Sequence, residues 1–416
     1  MSAMIDDVTL RIILNSRGQK TIEADVMTTE GFGRASAPAG ASRGKAEAVP
    51  YPEGGIEEAV KTASDLVVPE LIGLSAEDQE EIDHLLRELD GTENFRRIGG
   101  NTAYAISLAV ADAAADSYAL PLSQYLGGSL ATELPYPLGN ILGGGKHVVG
   151  KAPDVQEFLA LPVGAPNFLE AAEANVLVHQ KVGSILKEVD PTFTGGRGDE
   201  GAWAPNVTNN QALEAVATAC EDASDEMGFK IRPALDVAAS SFWDEKEKRY
   251  TYVRDDLKKD PGEQLEYVLS LVKKYDLAYV EDPFHEEDFE SFADLTEKVH
   301  NCLICGDDLF VTNVERLSRG IKVSAGNAVI VKVNQVGTLT DAWKTTDMAK
   351  KAGYLPVMSH RSGETTAFHI AHLAVGFRCP IIKTGVLGGE RIAKLNELIR
   401  IEETLAGSAR MSRLPF

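Results

Sequence analysis

Cysteine is scarce in this 416-residue chain, with four in all, and basic residues are outnumbered. So few thiols in a chain of this size imply a reducing compartment. Lys and Arg total 41 against 63 acids, a net charge of −22, which favours solubility and argues against nucleic acid as a principal partner. No apolar run is long enough for a membrane span. The alanine-rich stretch at residues 103–120 is broken by Asp112 and Asp116 and reads as a soluble helix. The start, Met1-Ser2-Ala3-Met4-Ile5-Asp6-Asp7, has neither a basic n-region nor an apolar h-region, so no secretory signal and a cytoplasmic location are expected. There is no short-period repeat and no low-complexity tail. What is present, 44% hydrophobic and 25% charged residues, suffices for one large core and a smaller one.

The first third of the chain has α+β character. Residues 8–26 alternate in two runs about Asn15-Ser16-Arg17-Gly18, a β-hairpin signal. A loop of small residues follows, Ala37-Pro38-Ala39-Gly40-Ala41-Ser42-Arg43-Gly44, with no apolar anchor to hold it still. Helical periodicity then predicts helices over residues 57–71, 76–89 and 102–120. Around residues 126–137 the pattern changes to strand–helix alternation. We therefore expect an N-terminal α+β capping domain over 1–130, with the small-residue loop as a mobile lid, and a catalytic domain over 131–416.

From residue 280 to 383 the chain repeats one unit. Short apolar runs end in Glu281-Asp282, Asp307-Asp308, Lys332, Ser359-His360-Arg361 and Lys383, at intervals of 23 to 28 residues. That period holds one strand, one helix and two loops, and near-continuous apolar runs are the mark of buried parallel strands. The expectation is an α/β fold with a (β/α)8 barrel, whose catalytic side chains stand at strand C-termini. Asp236, ending Pro233-Ala234-Leu235, joins the same mouth. Cys302 and Cys305 form a CxxC, but along a strand rather than at a helix start, and read as two core thiols. His179, on a predicted helix over 168–188, reads as a satisfied helical histidine.

Asp236, Glu281 and Asp307 at successive strand ends would repel one another unless a cation neutralised them, and oxygen-only ligands select a hard ion such as Mg²⁺. The alternative is that each acid pairs with a lysine or arginine on the rim. Lys332 and Lys383 lie on later strands, where a divalent ion and each other would disfavour their ammonium forms, so that one could act as a neutral base. Arg361 and Ser362 offer a fork and a hydroxyl suited to phosphate. The glycine run before His147 could cradle phosphate, though without the Walker lysine spacing, or let that side chain swing. The loop Thr194-Gly195-Gly196-Arg197-Gly198-Asp199-Glu200-Gly201 sets an acid in flexible surroundings. Such a set suits removal of a proton from the carbon next to a carboxylate.

At this point four motifs, in order, carry a resemblance: Gly198-Asp199-Glu200-Gly201, Glu281-Asp282-Pro283-Phe284, Lys332-Val333-Asn334-Gln335-Val336-Gly337-Thr338 and Ser359-His360-Arg361-Ser362-Gly363-Glu364-Thr365. The chain resembles the enolase family over nearly its whole length, and looks most like its archaeal members. A Lys or His base with one or two Mg²⁺ ions is the arrangement already known for that superfamily. The resemblance implies a lyase of glycolysis and gluconeogenesis acting on 2-phosphoglycerate and phosphoenolpyruvate, with two Mg²⁺ per active site. It implies Asp236, Glu281 and Asp307 on the tight metal, and Ser42 on a second. Lys332 would take the C2 proton, and Glu200, assisted by Glu157, would protonate the departing C3 hydroxyl. Lys383 would bind the carboxylate, Arg361 and Ser362 the phosphate, and His147 and His360 would close on the phosphoryl and leaving-group side. It further implies an irregular barrel with its second strand antiparallel, and a homodimer or homo-octamer. The chain departs from the family pattern at Asn15, at Ala39 and Arg43 in the lid, at Ser241 and at Thr366-Ala367. Arg43 either steers an anionic substrate or is simply solvated. The alternatives weighed are a paralogue acting on a related phosphorylated hydroxy acid and a non-catalytic scaffold.

Overall fold

The computed structural model describes residues 3–40, 44–148 and 150–416. The alternating first segment folds as an antiparallel sheet of β1 (Ile5–Leu14), β2 (Lys20–Thr28) and β3 (Phe32–Ser36), with Leu14 opposite Lys20 closing the hairpin. The helix Gly100–Ser117 packs on this sheet and is buried almost all round. The approach is tight at Gly33, where a side chain would begin 2.1 Å from the Ala109 carbonyl oxygen. The expected helix over 57–71 is split into Gly55–Leu66 and Val68–Leu71. Pro69, in the first turn of the second piece, has no N–H to continue the first. The next helix, Gln79–Asp90, ends at Gly91 in the left-handed conformation. Among the described residues no helix is long and apolar enough to cross a membrane.

From Tyr136 the chain builds a closed eight-stranded barrel. Its strands are β4 (Tyr136–Gly143), β5 (Glu157–Leu161), β6 (Arg232–Asp236), β7 (Tyr279–Glu281), β8 (Leu303–Gly306), β9 (Ala328–Val331), β10 (Leu355–Ser359) and β11 (Ile381–Gly385). Around the ring the order is β7-β8-β9-β10-β11-β4-β5-β6. β5 runs antiparallel to both its neighbours, and every other pairing is parallel. Periodicity alone does not show that reversal, because a five-residue apolar run reads the same in either direction.

Alternate residues fill two cores. Leu138, Leu159, Tyr279, Cys305, Ile330, Val357 and Ile381 pack inside the barrel. Leu142, Phe158, Val280, Ile304 and Val329 pack outward against helices. Cys302 belongs to the outer core and Cys305 to the inner one, both buried and free. Burial raises both thiols above their ordinary pKa. His179 is buried, stacks on Trp203 at 4.3 Å and places Nε2 3.1 Å from the Gly201 carbonyl oxygen.

The N-terminal unit is bolted to the barrel by polar contacts at the foot of the helix Leu339–Lys351. The Thr340 amide donates to Asp83 at 2.8 Å, and the Leu339 amide to Ser107 at 3.0 Å. Gln79 donates to the other Asp83 oxygen at 3.0 Å. Burial outweighs these donors and pushes the Asp83 carboxyl up to about 6. A carboxyl with a folded pKa above its unfolded one contributes stability that is present at low pH and lost as pH rises through 6. On acidification from pH 7.5 to 5, the parent protein should therefore gain about 1 kcal/mol more than Asp83→Asn. Denaturant unfolding at the two pH values measures that difference.

Candidate active site

The C-terminal end of the barrel gathers the chemistry. Asp236 and Glu281 are the last residues of adjacent β6 and β7 and stand in register, and Asp307 follows Gly306, the last residue of β8. The antiparallel sense of β5 brings its first residue, Glu157, to the same end, opposite Asp236. Several residues where the chain leaves this end hold left-handed φ without being glycine: Ala238 at 47°, Asp282 at 41° and Val311 at 45°. Such backbone costs of order 1–3 kcal/mol per residue and persists where surroundings over-determine it. Asp282 shows how. Its two carboxylate oxygens accept from the Asp307 and Asp308 amides at 3.0 and 2.7 Å, so it orients Asp307.

Lys383, from β11, occupies the centre. Its ammonium lies 2.8 Å from Asp236 Oδ2, 2.8 Å from Glu281 Oε2 and 3.2 Å from Glu157 Oε2. Burial pulls Lys383 down, but the three carboxylates outweigh it and the ammonium is held well above its usual range. Burial and Asp236 push Glu281 up to about 7. Glu281 Oε1 is buried without a hydrogen-bond partner among the described residues. Lys332 pairs with Asp307 Oδ2, and Gln335 donates to Asp307 Oδ1 at 2.9 Å. The expected disfavouring of the lysine ammonium was tied to a divalent ion; facing Asp307, Lys332 is instead held in its charged form. Burial alone would lower Lys332, but Asp307 outweighs it and the shift is upward. Each lysine instead meets the acids that the sequence reading assigned to a metal.

Across the mouth, Glu200 sits on a single turn, Asp199–Gly201, with φ of 67°. Its carboxylate accepts from Asn140 at 2.9 Å and lies 3.1 Å from His360 Nε2 and 3.9 Å from His147 Nε2. His147 Nδ1 is 3.6 Å from Glu157, and its Nε2 meets the Ser362 hydroxyl at 3.2 Å. Ligand atoms of His147, Glu157 and Glu200 all lie within 4.8 Å of one another. Their environments drive the two acids apart. Burial and the neighbouring Glu200 raise Glu157 well above the usual carboxylate range. At Glu200, burial is outweighed by His360 and His147, and the net direction is down. Glu157 is therefore the protonated partner and Glu200 the ionised one.

His360 is fixed from behind by Arg391. This buried guanidinium places Nη1 2.8 Å from His360 Nδ1 and donates to the Arg361 and Ser362 carbonyls at 2.7 and 2.5 Å. An arginine only donates, so Nδ1 accepts and the imidazole proton sits on Nε2, toward Glu200. Burial lowers His360 to about 4, so it is neutral at pH 7. Arg361 holds Glu47 at 3.1 Å and donates to Asn334 Oδ1 at 3.0 Å. Sequence reasoning missed Glu47, Asn140, Gln335 and Arg391. Only Gln335 lay inside one of the motifs, and its spacing gave no role.

Together with Gly40, the residues His147, Glu157, Glu200, Asp236, Asp307, Lys332, His360, Arg361, Ser362 and Lys383 line one small polar cavity. Glu281 borders it through Lys383. Ser42 lies outside the described residues, as does Arg43. The acids Asp236, Glu281 and Asp307 fit a hard divalent cation: all offer carboxylate oxygen, and one buried oxygen of Glu281 has no partner. Among the described residues, the carboxylates whose ligand atoms lie within 4.8 Å of one another are a different set, Asp282, Asp307 and Asp308.

Comparison with known proteins agrees along the whole chain. Residues 5–126 match the family model described as "Enolase, N-terminal domain", and residues 131–413 the one described as "Enolase, C-terminal TIM barrel domain". The chain is 56% identical over 406 residues to the enolase of Methanosphaera stadtmanae, covering 97% of this chain and 98% of that one. It is 54% identical over 417 residues to the enolase of Methanothermobacter thermautotrophicus, covering 100% of both. To the enolase of Haloarcula marismortui it is 51% identical over 404 residues, covering 96% and 99%.

Lys383 is the counter-charge for three buried acids, and removing one side of a buried ion cluster typically costs about 3–5 kcal/mol. Lys383→Met should lose that much stability at pH 7. The penalty should fall by about half at pH 5, where Glu281, raised to about 7, is protonated. Unfolding midpoints at the two pH values check both numbers.

Proposed function

The chain belongs to the enolase family, and on that premise we propose how its residues divide the work. The activity is that of a phosphopyruvate hydratase, a hydro-lyase taking 2-phosphoglycerate to phosphoenolpyruvate and back. The observation that carries the residue assignment is the seating of base and acid. In the ring of eight strands, β9 and β5 are diametrically opposed, so Lys332 and Glu157 face each other across the mouth. A proton leaves C2 toward one wall, and the C3 hydroxyl leaves toward the other.

In this reading Lys332 takes the C2 proton. Glu200 delivers a proton to the departing hydroxyl, and Glu157, held protonated by burial and 3.6 Å from His147, is the reservoir behind it. The two groups share their proton because both cannot ionise so close together. His360, neutral with its proton on Nε2, holds Glu200 in place without competing for that proton. Lys383 binds the substrate carboxylate. Arg361 and Ser362 bind the phosphate, with His147 beside the Ser362 hydroxyl.

Asp236, Glu281 and Asp307 hold a divalent cation. We infer Mg²⁺, two ions per site, with Ser42 contributing to the second. Asp307, shared with a bound cation, would hold the Lys332 proton less tightly, and the cation's charge would make the proton next to the substrate carboxylate more acidic. We place the domain division at residues 130 and 131. The working form is a homodimer or homo-octamer in the cytoplasm.

Phosphoenolpyruvate formation from 2-phosphoglycerate, followed by ultraviolet absorbance, tests the assignment. Turnover should require Mg²⁺ and fall about 10²–10⁴-fold in Lys332→Ala, the usual worth of a general base. No turnover by the folded, Mg²⁺-replete protein would overturn the reading, and undiminished turnover in the variant would move the base elsewhere.

A further inference from the structure

We propose that Arg17, on the turn of the N-terminal hairpin, is a positioning residue for Glu200. Its guanidinium holds Asp199 and thereby fixes the aim of the next carboxylate in the chain. The inference rests on the role given to Glu200 above.

The turn is rigid enough to do this. Asn15 Oδ1 accepts from the Arg17 and Gln19 amides at 2.9 and 3.0 Å, an Asx turn that sets the local backbone. Ser16 then docks the turn on the phosphate-side loop. Its amide donates to the Glu364 carbonyl at 2.7 Å, and its hydroxyl accepts from the Glu364 amide at 3.2 Å. From that anchored position Arg17 reaches across to Asp199 with two donors. Nε donates to Oδ1 at 3.2 Å and Nη2 pairs with Oδ2. A two-point fork fixes direction as well as distance.

What it holds needs holding. Glu200 is strained at φ 67°, and the residues leading to it, 194–198, are largely exposed and contain three glycines. On the barrel side the turn is braced behind Glu200. His179 meets the Gly201 carbonyl at 3.1 Å, and a side chain at Gly385 would begin 2.1 Å from the Glu200 carbonyl oxygen. On the solvent side, Asp199 is the residue gripped, and Arg17 grips it. The same hairpin turn thus touches the loop carrying Ser362 and the loop carrying Glu200. Both partners of the ion pair are about one-fifth exposed, 22% and 23%, so it adds little to global stability. Its consequence lies in geometry, where a displacement of about 1 Å can cost on the order of 10²-fold in rate.

The test is Arg17→Met beside Glu200→Gln, with three readouts: kcat and KM for 2-phosphoglycerate, exchange of the C2 proton with D2O, and melting temperature. Arg17→Met should lower kcat roughly 10- to 100-fold. KM and C2 exchange should stay within about threefold, because Lys332 is untouched, and the melting temperature should move by less than about 2 °C. The exchanged pair Arg17→Asp with Asp199→Arg should recover part of the lost kcat. A kcat within twofold of the parent overturns the inference while Glu200→Gln, if inactive, leaves the Glu200 assignment standing. Equal losses of exchange and turnover in Arg17→Met also overturn it, since the defect would then not be confined to Glu200. Full turnover in Glu200→Gln removes the assignment and the inference with it.

Discussion

The barrel mouth buries more carboxylate than lysine, and the rest of the site depends on that imbalance. Glu157, Glu200, Asp236, Glu281 and Asp307 converge against Lys332 and Lys383, all of them buried or nearly so. Charges so placed cannot all be ionised and unpaired, since each would forfeit its hydration without compensation. The structure resolves the surplus in two ways. The lysines bind Asp236, Glu281 and Asp307, and burial beside other carboxylates raises Glu157 and Glu281, which favours their protonated forms. A divalent cation is the third way, and the one the chemistry requires. Its charge would release the protons and the lysines together.

The surrounding fold exists to hold that crowd in place. The reversed β5 is the means by which Glu157 reaches the mouth from the start of a strand, facing Lys332 across the ring. Asp282 spends both oxygens on the Asp307 and Asp308 amides, and Arg391 spends its guanidinium on His360 and two carbonyls. The N-terminal unit contributes Glu47 to Arg361, Ser16 to Glu364 and Arg17 to Asp199. It is part of the active site's wall as well as a cap.

Most of the groups gathered at the barrel mouth were legible in the sequence, because each buried parallel strand is an apolar run and its last polar residue stands out. Asp236, Glu281, Asp307, Lys332, His360 and Lys383 were found that way, from residue type and spacing. Glu157, Glu200 and the division of roles came from the resemblance, since a lone acid in a glycine loop has no signal of its own. The reversal of β5 and the tasks of Glu47, Asn140 and Arg391 were not legible, because they are set by partners far away in the chain. The charge state of Lys332 was not legible for a related reason. It depends on whether Asp307 faces the lysine or a cation, and spacing does not carry that information.

The most direct test of the charge imbalance is calorimetry of Mg²⁺ binding at pH 7 in buffers of different ionisation enthalpy. If protons and lysine charge fill the place of a cation, Mg²⁺ should bind saturably and release on the order of one proton per site, so the observed heat should change with the buffer. Heat independent of the buffer, or the absence of saturable binding, would contradict the account.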